Sequence, residues 1–133
     1  MSRLLHPGLG DYCDRWVILG LKIADADRRG VDASHFRQER LEIAIRIRET
    51  DDEVALREAL RDLKQVNGEL WQLQDELAAF VSALPPRHTS VYKVYIDDVL
   101  AAIGQIAIET YQLNEQRAQI VQTLNGGDLE KIR

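Results

Sequence analysis

The sequence lacks what disulfide-bonded, nucleic-acid-binding and membrane-spanning proteins need. Its single cysteine, Cys13, excludes an internal disulfide. No basic run is longer than Arg28-Arg29 in a chain of net charge −5, which argues against a nucleic-acid-binding surface. The longest apolar run, WVILGL, is far shorter than the roughly 20 residues of a membrane-spanning helix, and the N-terminus has no apolar signal-peptide segment. We therefore expect a cytoplasmic protein that has no membrane span and no nucleic-acid partner.

Motifs of catalytic and metal sites are missing as well. His6, His35 and His88 are scattered, and no two share a spacing typical of zinc ligands. The chain has neither a glycine-rich phosphate loop nor a G-x-S-x-G motif. We therefore assign no catalytic residue, no metal ligand and no cofactor from motifs.

The composition that remains predicts one all-α domain. Only three prolines occur in 133 residues, 45% of the residues are hydrophobic, and aromatic residues make up 6%. Leu, Ile, Ala, Glu, Arg and Gln, which favour helices, are abundant. We expect a single domain over 1–133, with loose tails at 1–9 and 127–133.

The first half of the chain predicts two shorter helices, at roughly 10–28 and 33–49. Apolar residues recur at helical spacing in the first, and Gly30 follows two arginines as a C-terminal cap. Asp32 is the expected N-cap of the second helix. Thr50 and Glu53 form a capping box, which favours a new helix there, although one continuous kinked helix is the alternative.

The second half predicts two longer helices, at roughly 51–84 and 90–125. Each carries an unbroken heptad seam of apolar residues, and "PPRHTS" separates the two. We expect them to form a long antiparallel hairpin, against which the first two helices pack as a second hairpin. The predicted fold is an antiparallel four-helix bundle.

Four polar residues interrupt these seams: Asn67, Gln74, Thr110 and Arg117. Burying an unpaired amide costs about 1–3 kcal/mol, so each needs a partner. With the turn centred near Arg87, Asn67 should lie roughly level with Thr110 or a neighbouring residue. Arg117 should lie further from the turn, level with the start of the third helix, and take its carboxylate from another helix or subunit, with Asp14 as a candidate.

We expect polar side chains on three helices to form one layer. Asn67, Trp71 and Asp75 follow one another at intervals of four, and Asn114 shares a helix face with Arg117. The layer either fixes register and oligomeric state, or binds an anionic or sugar-like ligand. Its members are Asp14, Lys22, Asn67, Trp71, Asp75, Asn114 and Arg117.

The acidic residues allow a further hypothesis, a magnesium-dependent pyrophosphohydrolase. Asp11 and Asp14 are three apart, and further acids lie on the third helix at Glu69, Asp75 and Glu76. The chain has no Glu-Glu-x-x-Glu cluster, however, and acids near a helix N-terminus also stabilise the helix dipole.

Three segments together resemble a family of short bacterial all-helical proteins of unknown function. These proteins carry G-[DE]-x-x-D-[KR], then N-x-x-L-W-x-x-E-D, then N-[DE]-x-R-A. The matching segments are GDYCDRWVILGLK at 10–22, VNGELWQLQD at 66–75 and LNEQRAQIVQTLN at 113–125. The shared residues are Gly10, Asp14, Arg15, Lys22, Asn67, Leu70, Trp71, Asp75, Asn114, Arg117 and Ala118.

The chain departs from this family pattern at two positions. Gln74 stands where the family has an acid, and Val121 stands where it has a lysine. If those charged groups serve a ligand, this chain binds it weakly or not at all. The resemblance implies no established activity, but relatives look like companions of sugar-transfer systems, which implies partner proteins of polysaccharide biosynthesis.

The function expected from the sequence is a non-enzymatic structural or interaction protein that self-associates as a homodimer. Two long heptad seams favour such an association. The alternative is a ligand-binding or enzymatic protein that uses the polar layer, with the magnesium-dependent hydrolase as its enzymatic form.

Overall fold

A computed structural model describes residues 8–48, 53–86 and 89–126. These residues form four α-helices and no strand, which confirms the all-α four-helix bundle. No helix in the described ranges is long and apolar enough to cross a membrane. The helices are α1 (Leu9–Arg29), α2 (Ser34–Ile47), α3 (Glu53–Ala83) and α4 (Ser90–Leu124).

The predicted boundaries agree with these helices to within two residues at every end. Helix α2 ends at Ile47 and α3 begins at Glu53, so α2 and α3 are separate helices. Thr50 and most of the predicted tails, 1–7 and 127–133, lie outside the described residues. Leu9, which we placed in the N-terminal tail, is instead the first residue of α1 and is fully buried.

The caps around the loop between α1 and α2 follow from the local sequence. Gly30 adopts a left-handed conformation with φ 70°, as expected for a glycine cap. The Val31 N–H then donates to the Ala26 carbonyl at 2.8 Å. Asp32, which we predicted as the N-cap of α2, instead lies one residue before the N-cap, Ala33, and its carboxylate accepts a bond from the Ser34 N–H at 3.0 Å. The Ser34 hydroxyl donates to the same carboxylate oxygen at 2.5 Å, and this bond, together with the one from the Ser34 N–H, lowers the pKa of Asp32.

Helix α1 is the centre of the bundle because it packs against each of the other three helices. Within the described residues, α2 packs closely only along α1, while α3 and α4 also pack on each other. Ile47, at the C-terminal end of α2, is the buried α2 residue of the main apolar cluster, and Ile43 packs against that cluster. That cluster comprises the buried residues Leu9, Cys13, Val17, Ile47, Leu63 and Leu124.

The hairpin of α3 and α4 has a different register from the one we expected. Asn67 and Arg117 both reach the same carboxylate, and Leu73 lines a groove together with Leu113. Asn67 therefore lies level with Arg117 and not with Thr110, a shift of seven residues, or about 10 Å along the axis. A shift of one heptad keeps both apolar seams in contact, so the seam pattern alone does not distinguish the two registers.

The distal half of the hairpin, which we define as residues 74–105, is far more exposed than its proximal half. None of its described side chains is buried, whereas Leu63, Leu70, Leu73 and Ile106 are. Gln74, which we expected on the buried seam, lies in this distal half and is exposed. Two helices alone cover only one side of the apolar side chains between them. Burial of these side chains requires a third helix, and α1 is that helix only in the proximal half of the hairpin.

Candidate functional site

The polar centre of the bundle is the carboxylate of Asp14, which lies within the apolar part of α1. Asp14 is 8% exposed and sits between the buried residues Cys13 and Val17. An ionised carboxylate at such a position requires a charged partner and hydrogen bonds, because its transfer from water is otherwise strongly unfavourable. Both requirements are met by residues from the other two helices of the core.

Arg117 on α4 provides the charge. Its Nη2 donates to Asp14 Oδ2 at 2.7 Å, and its Nε lies 3.0 and 3.1 Å from the two carboxylate oxygens. This two-pronged arrangement is the strongest pairing available to a carboxylate in proteins. The predicted pairing of Arg117 with Asp14 is thereby confirmed, and it forms within one chain.

Asn67 on α3 completes the cluster. Its Nδ2 donates to Asp14 Oδ1 at 2.8 Å and also to the Leu63 carbonyl of its own helix at 3.0 Å. Asn67 is buried, and water therefore has little access to this side of Asp14. A residue without a hydrogen-bond donor at position 67 would leave the Asp14 carboxylate with fewer partners. We call Asp14, Asn67 and Arg117 the polar triad. It joins α1, α3 and α4 at one level.

The triad also affects its neighbour Cys13. Burial, together with the nearby Asp14 charge, raises the pKa of the Cys13 thiol to about 12. Because the thiolate is the reactive form of cysteine, Cys13 is a buried apolar side chain in this fold and not a nucleophile.

The other four members of the predicted polar layer are not hydrogen-bonded to the triad. Asp75 and Asn114 are exposed, and Trp71 is half-buried with no hydrogen bond to any described residue. Lys22 lies on the side of α1 that faces α2, where its Nζ is 5.5 Å from the centre of the Phe36 ring. The predicted strip of Asn67, Trp71 and Asp75 thus contributes only Asn67 to the triad.

Two further contacts of α1 were not anticipated from the residue patterns. The Gly10 N–H donates to Asn125 Oδ1 at 2.6 Å, and Asn125 Nδ2 donates to Asp11 Oδ2 at 3.2 Å. A Cβ atom at Gly10 would overlap the Val121 carbonyl, so α1 and α4 approach here as closely as backbone permits. A glycine in the first turn of a predicted helix was the sequence feature that could have indicated this close approach of two backbones.

The second unanticipated contact joins α1 to α2. The Arg40 guanidinium lies over the Trp16 ring, 3.7 Å from its centre, and Arg40 Nε donates to the Trp16 carbonyl at 3.1 Å. Beside it, Arg15 Nε donates to Glu39 Oε2 at 2.8 Å. These bonds hold α2 on the surface of α1, where packing alone buries little of α2.

The acidic residues of the magnesium hypothesis are not gathered. Asp11 is exposed and bonded to Asn125, while Asp14 is bonded to Arg117. In the described part of the chain no three His, Cys, Asp or Glu side chains are placed to hold one metal ion.

Comparisons of the chain with protein-family models, with characterised proteins and with solved structures find no match. The resemblance to short bacterial helical proteins therefore stays a prediction.

Proposed function

We propose that the protein is a non-enzymatic, all-helical interaction protein that self-associates through the distal half of its α3/α4 hairpin. The observation that carries this proposal is the exposure of apolar side chains there, since no described side chain from 74 to 105 is buried. Val81 and Leu100 are 55% and 56% exposed, and Phe80 and Val94 are exposed as well. A second hairpin would supply the helices that this half lacks, as α1 does for the proximal half.

The bonding of the polar triad supports the structural alternative over the ligand-binding one. Both carboxylate oxygens of Asp14 accept bonds from Asn67 or Arg117, and the amide of Asn67 donates to two acceptors. A ligand would have to displace these bonds to reach the buried groups. The triad therefore serves as a layer that sets the register of three helices, which is an established role of polar groups in helical bundles.

Two copies of the same hairpin suit a two-fold symmetric dimer. In such a dimer the same patch meets itself, so an apolar patch without charge is self-complementary. The apolar side chains of Val81 and Leu100 are more than half exposed, and both lie where α1 does not cover the hairpin. An exposed apolar surface of this kind marks an interaction site in soluble proteins.

The experiment is light scattering after size-exclusion chromatography, from about 1 to 100 µM, a range that spans typical transient dimers. We expect a concentration-dependent dimer for the natural protein and a monomer for Val81→Glu/Leu100→Glu. Leu41→Glu/Ile45→Glu is the matched control, because those two side chains on α2 are as exposed, at 65% and 61%. A natural protein that stays monomeric at the highest concentration, or a dimer that only the α2 control disrupts, would refute the proposal.

A further inference from the structure

An open groove lies on the opposite side of the α3/α4 seam from α1. Two open cavities of about 950 and 340 Å³ lie between α3 and α4, and both are lined by Glu69 and Gln116. The two cavities therefore adjoin, and together we call them the outer groove. Its polar wall on α3 repeats at intervals of four and three residues and comprises Glu58, Asp62, Gln65, Glu69, Gln72 and Glu76.

The floor of the outer groove is apolar and regular. Ala59, Val66 and Leu73 follow one another at intervals of seven on α3, and Leu113 and Ile120 do so on α4. Val66 and Leu73 are buried, and the others are half-buried. A floor with a seven-residue period matches the apolar stripe of another helix, because that is the period at which helices mesh side by side.

The walls carry one sign of charge. Among the residues that the structure describes, six acids line the groove, and no lysine, arginine or histidine does so. Asp62 is paired with Arg61 at 3.8 Å, but the described residues offer none of the other five acids a cation. The acids are Glu58, Asp62, Glu69, Glu76, Glu109 and Glu115.

None of the four described helices occupies the outer groove. Helix α1 meets the hairpin on the other side of the seam, through Asn67 and Arg117, and α2 packs closely only along α1 in the described parts of the chain. The α3 wall extends from Glu58 to Glu76, which corresponds to about 27 Å, or five helical turns. The groove is therefore long enough for a helix of about 18 residues.

We infer that the outer groove binds an amphipathic helix of another protein, with an apolar stripe flanked by lysine and arginine. Helix-in-groove recognition supplies the apolar contact, and the acidic walls select a basic partner. A second copy is a poor occupant, because its own groove would bring six acids against six. Its α2 has only 14 residues and exposes just Leu41 and Ile45 as large apolar side chains.

The probe is a fluorescein-labelled, amidated peptide of about 18 residues with leucine at heptad positions a and d and lysine or arginine beside them. Fluorescence anisotropy at physiological salt measures its binding to the full chain. A scrambled peptide with the same composition and charge but no apolar stripe is the first control. We expect saturable binding of the amphipathic peptide and at least about tenfold weaker binding of the scrambled one.

Variants locate the binding. Glu69→Gln/Glu109→Gln should weaken binding of the amphipathic peptide about tenfold, because two ion pairs at the groove are lost. Asp27→Asn/Glu42→Gln removes the same charge from exposed positions on α1 and α2, outside both the groove and the distal half, and should leave binding within about twofold. Val81→Glu/Leu100→Glu should also bind the peptide, so this surface is separable from self-association.

Several results would overturn the inference. Equal binding of the scrambled peptide would show attraction by net charge alone. An equal loss of peptide affinity in both charge variants, or no loss in the groove variant, would show that the peptide binds outside the groove. If Glu69→Gln/Glu109→Gln instead abolished self-association of the protein, the occupant of the groove would be a second copy.

Discussion

The contribution of the polar triad to stability is the most direct quantitative test of this fold. Replacing Arg117 with alanine leaves the Asp14 carboxylate, which is 8% exposed, with only the Asn67 amide as a partner. Breaking a buried ion pair from one side costs about 3–5 kcal/mol, since the remaining charge is left without compensation. The Arg117 side chain is itself 35% exposed, so its removal admits water to Asp14.

This partial access places the expected cost at the lower end of the range, about 3 kcal/mol. A domain of this size has a total stability of roughly 5–15 kcal/mol, so the loss is a substantial fraction of it. The corresponding fall in the melting temperature is about 10 °C. Urea denaturation followed by circular dichroism at 222 nm measures the change, at one fixed protein concentration because self-association would add to stability.

Arg15→Ala is the matched control for Arg117→Ala. Arg15 also sits in a two-pronged pair, with Glu39, but both side chains are partly exposed, so we expect a loss of about 0–1 kcal/mol. In the double variant Asp14→Ala/Arg117→Ala, neither charge is left alone, and the combined cost should be smaller than the sum of the single costs. A loss below about 1 kcal/mol for Arg117→Ala, equal to that of the control, would refute the buried-pair argument.

Two further predictions concern α1. Gly10→Ala should destabilise the protein by about 1–3 kcal/mol, because the new Cβ would meet the Val121 backbone. Gly68→Ala, in the middle of α3 with open space beside it, should stabilise the protein by roughly 0.5–1 kcal/mol. Urea denaturation measures both changes in the free energy of unfolding, and changes of the same sign would contradict the close approach of α1 and α4 at Gly10. The Cys13 thiol, with its pKa raised to about 12, should react with a disulfide reagent at pH 8 only after unfolding, at a rate measured by absorbance. Rapid modification of the folded protein would show that Cys13 is accessible.

The sequence pattern was most reliable where one local signal decided the structure. The helix end at Gly30 follows from arginines and glycine in that order, and the proline pair ends α3 near Leu84. The interruption of the α3 seam by Asn67 correctly indicated a buried polar contact with another helix. Gln74, in the same seam and of similar chemistry, is exposed, because burial depends on whether α1 covers that level of the hairpin.

The sequence by itself therefore determined the helices, their apolar seams and the need of Arg117 for a carboxylate. Tertiary structure alone decided the register of the hairpin, because heptad seams fit equally well when shifted by seven residues. The contact of Asp14 with both Asn67 and Arg117 selects one of these registers. In another register Arg117 would be separated from Asp14, and the Asp14 carboxylate would be buried without a charged partner. The same register, with α1 covering only the proximal half, leaves the distal apolar seam and the outer groove open to partners.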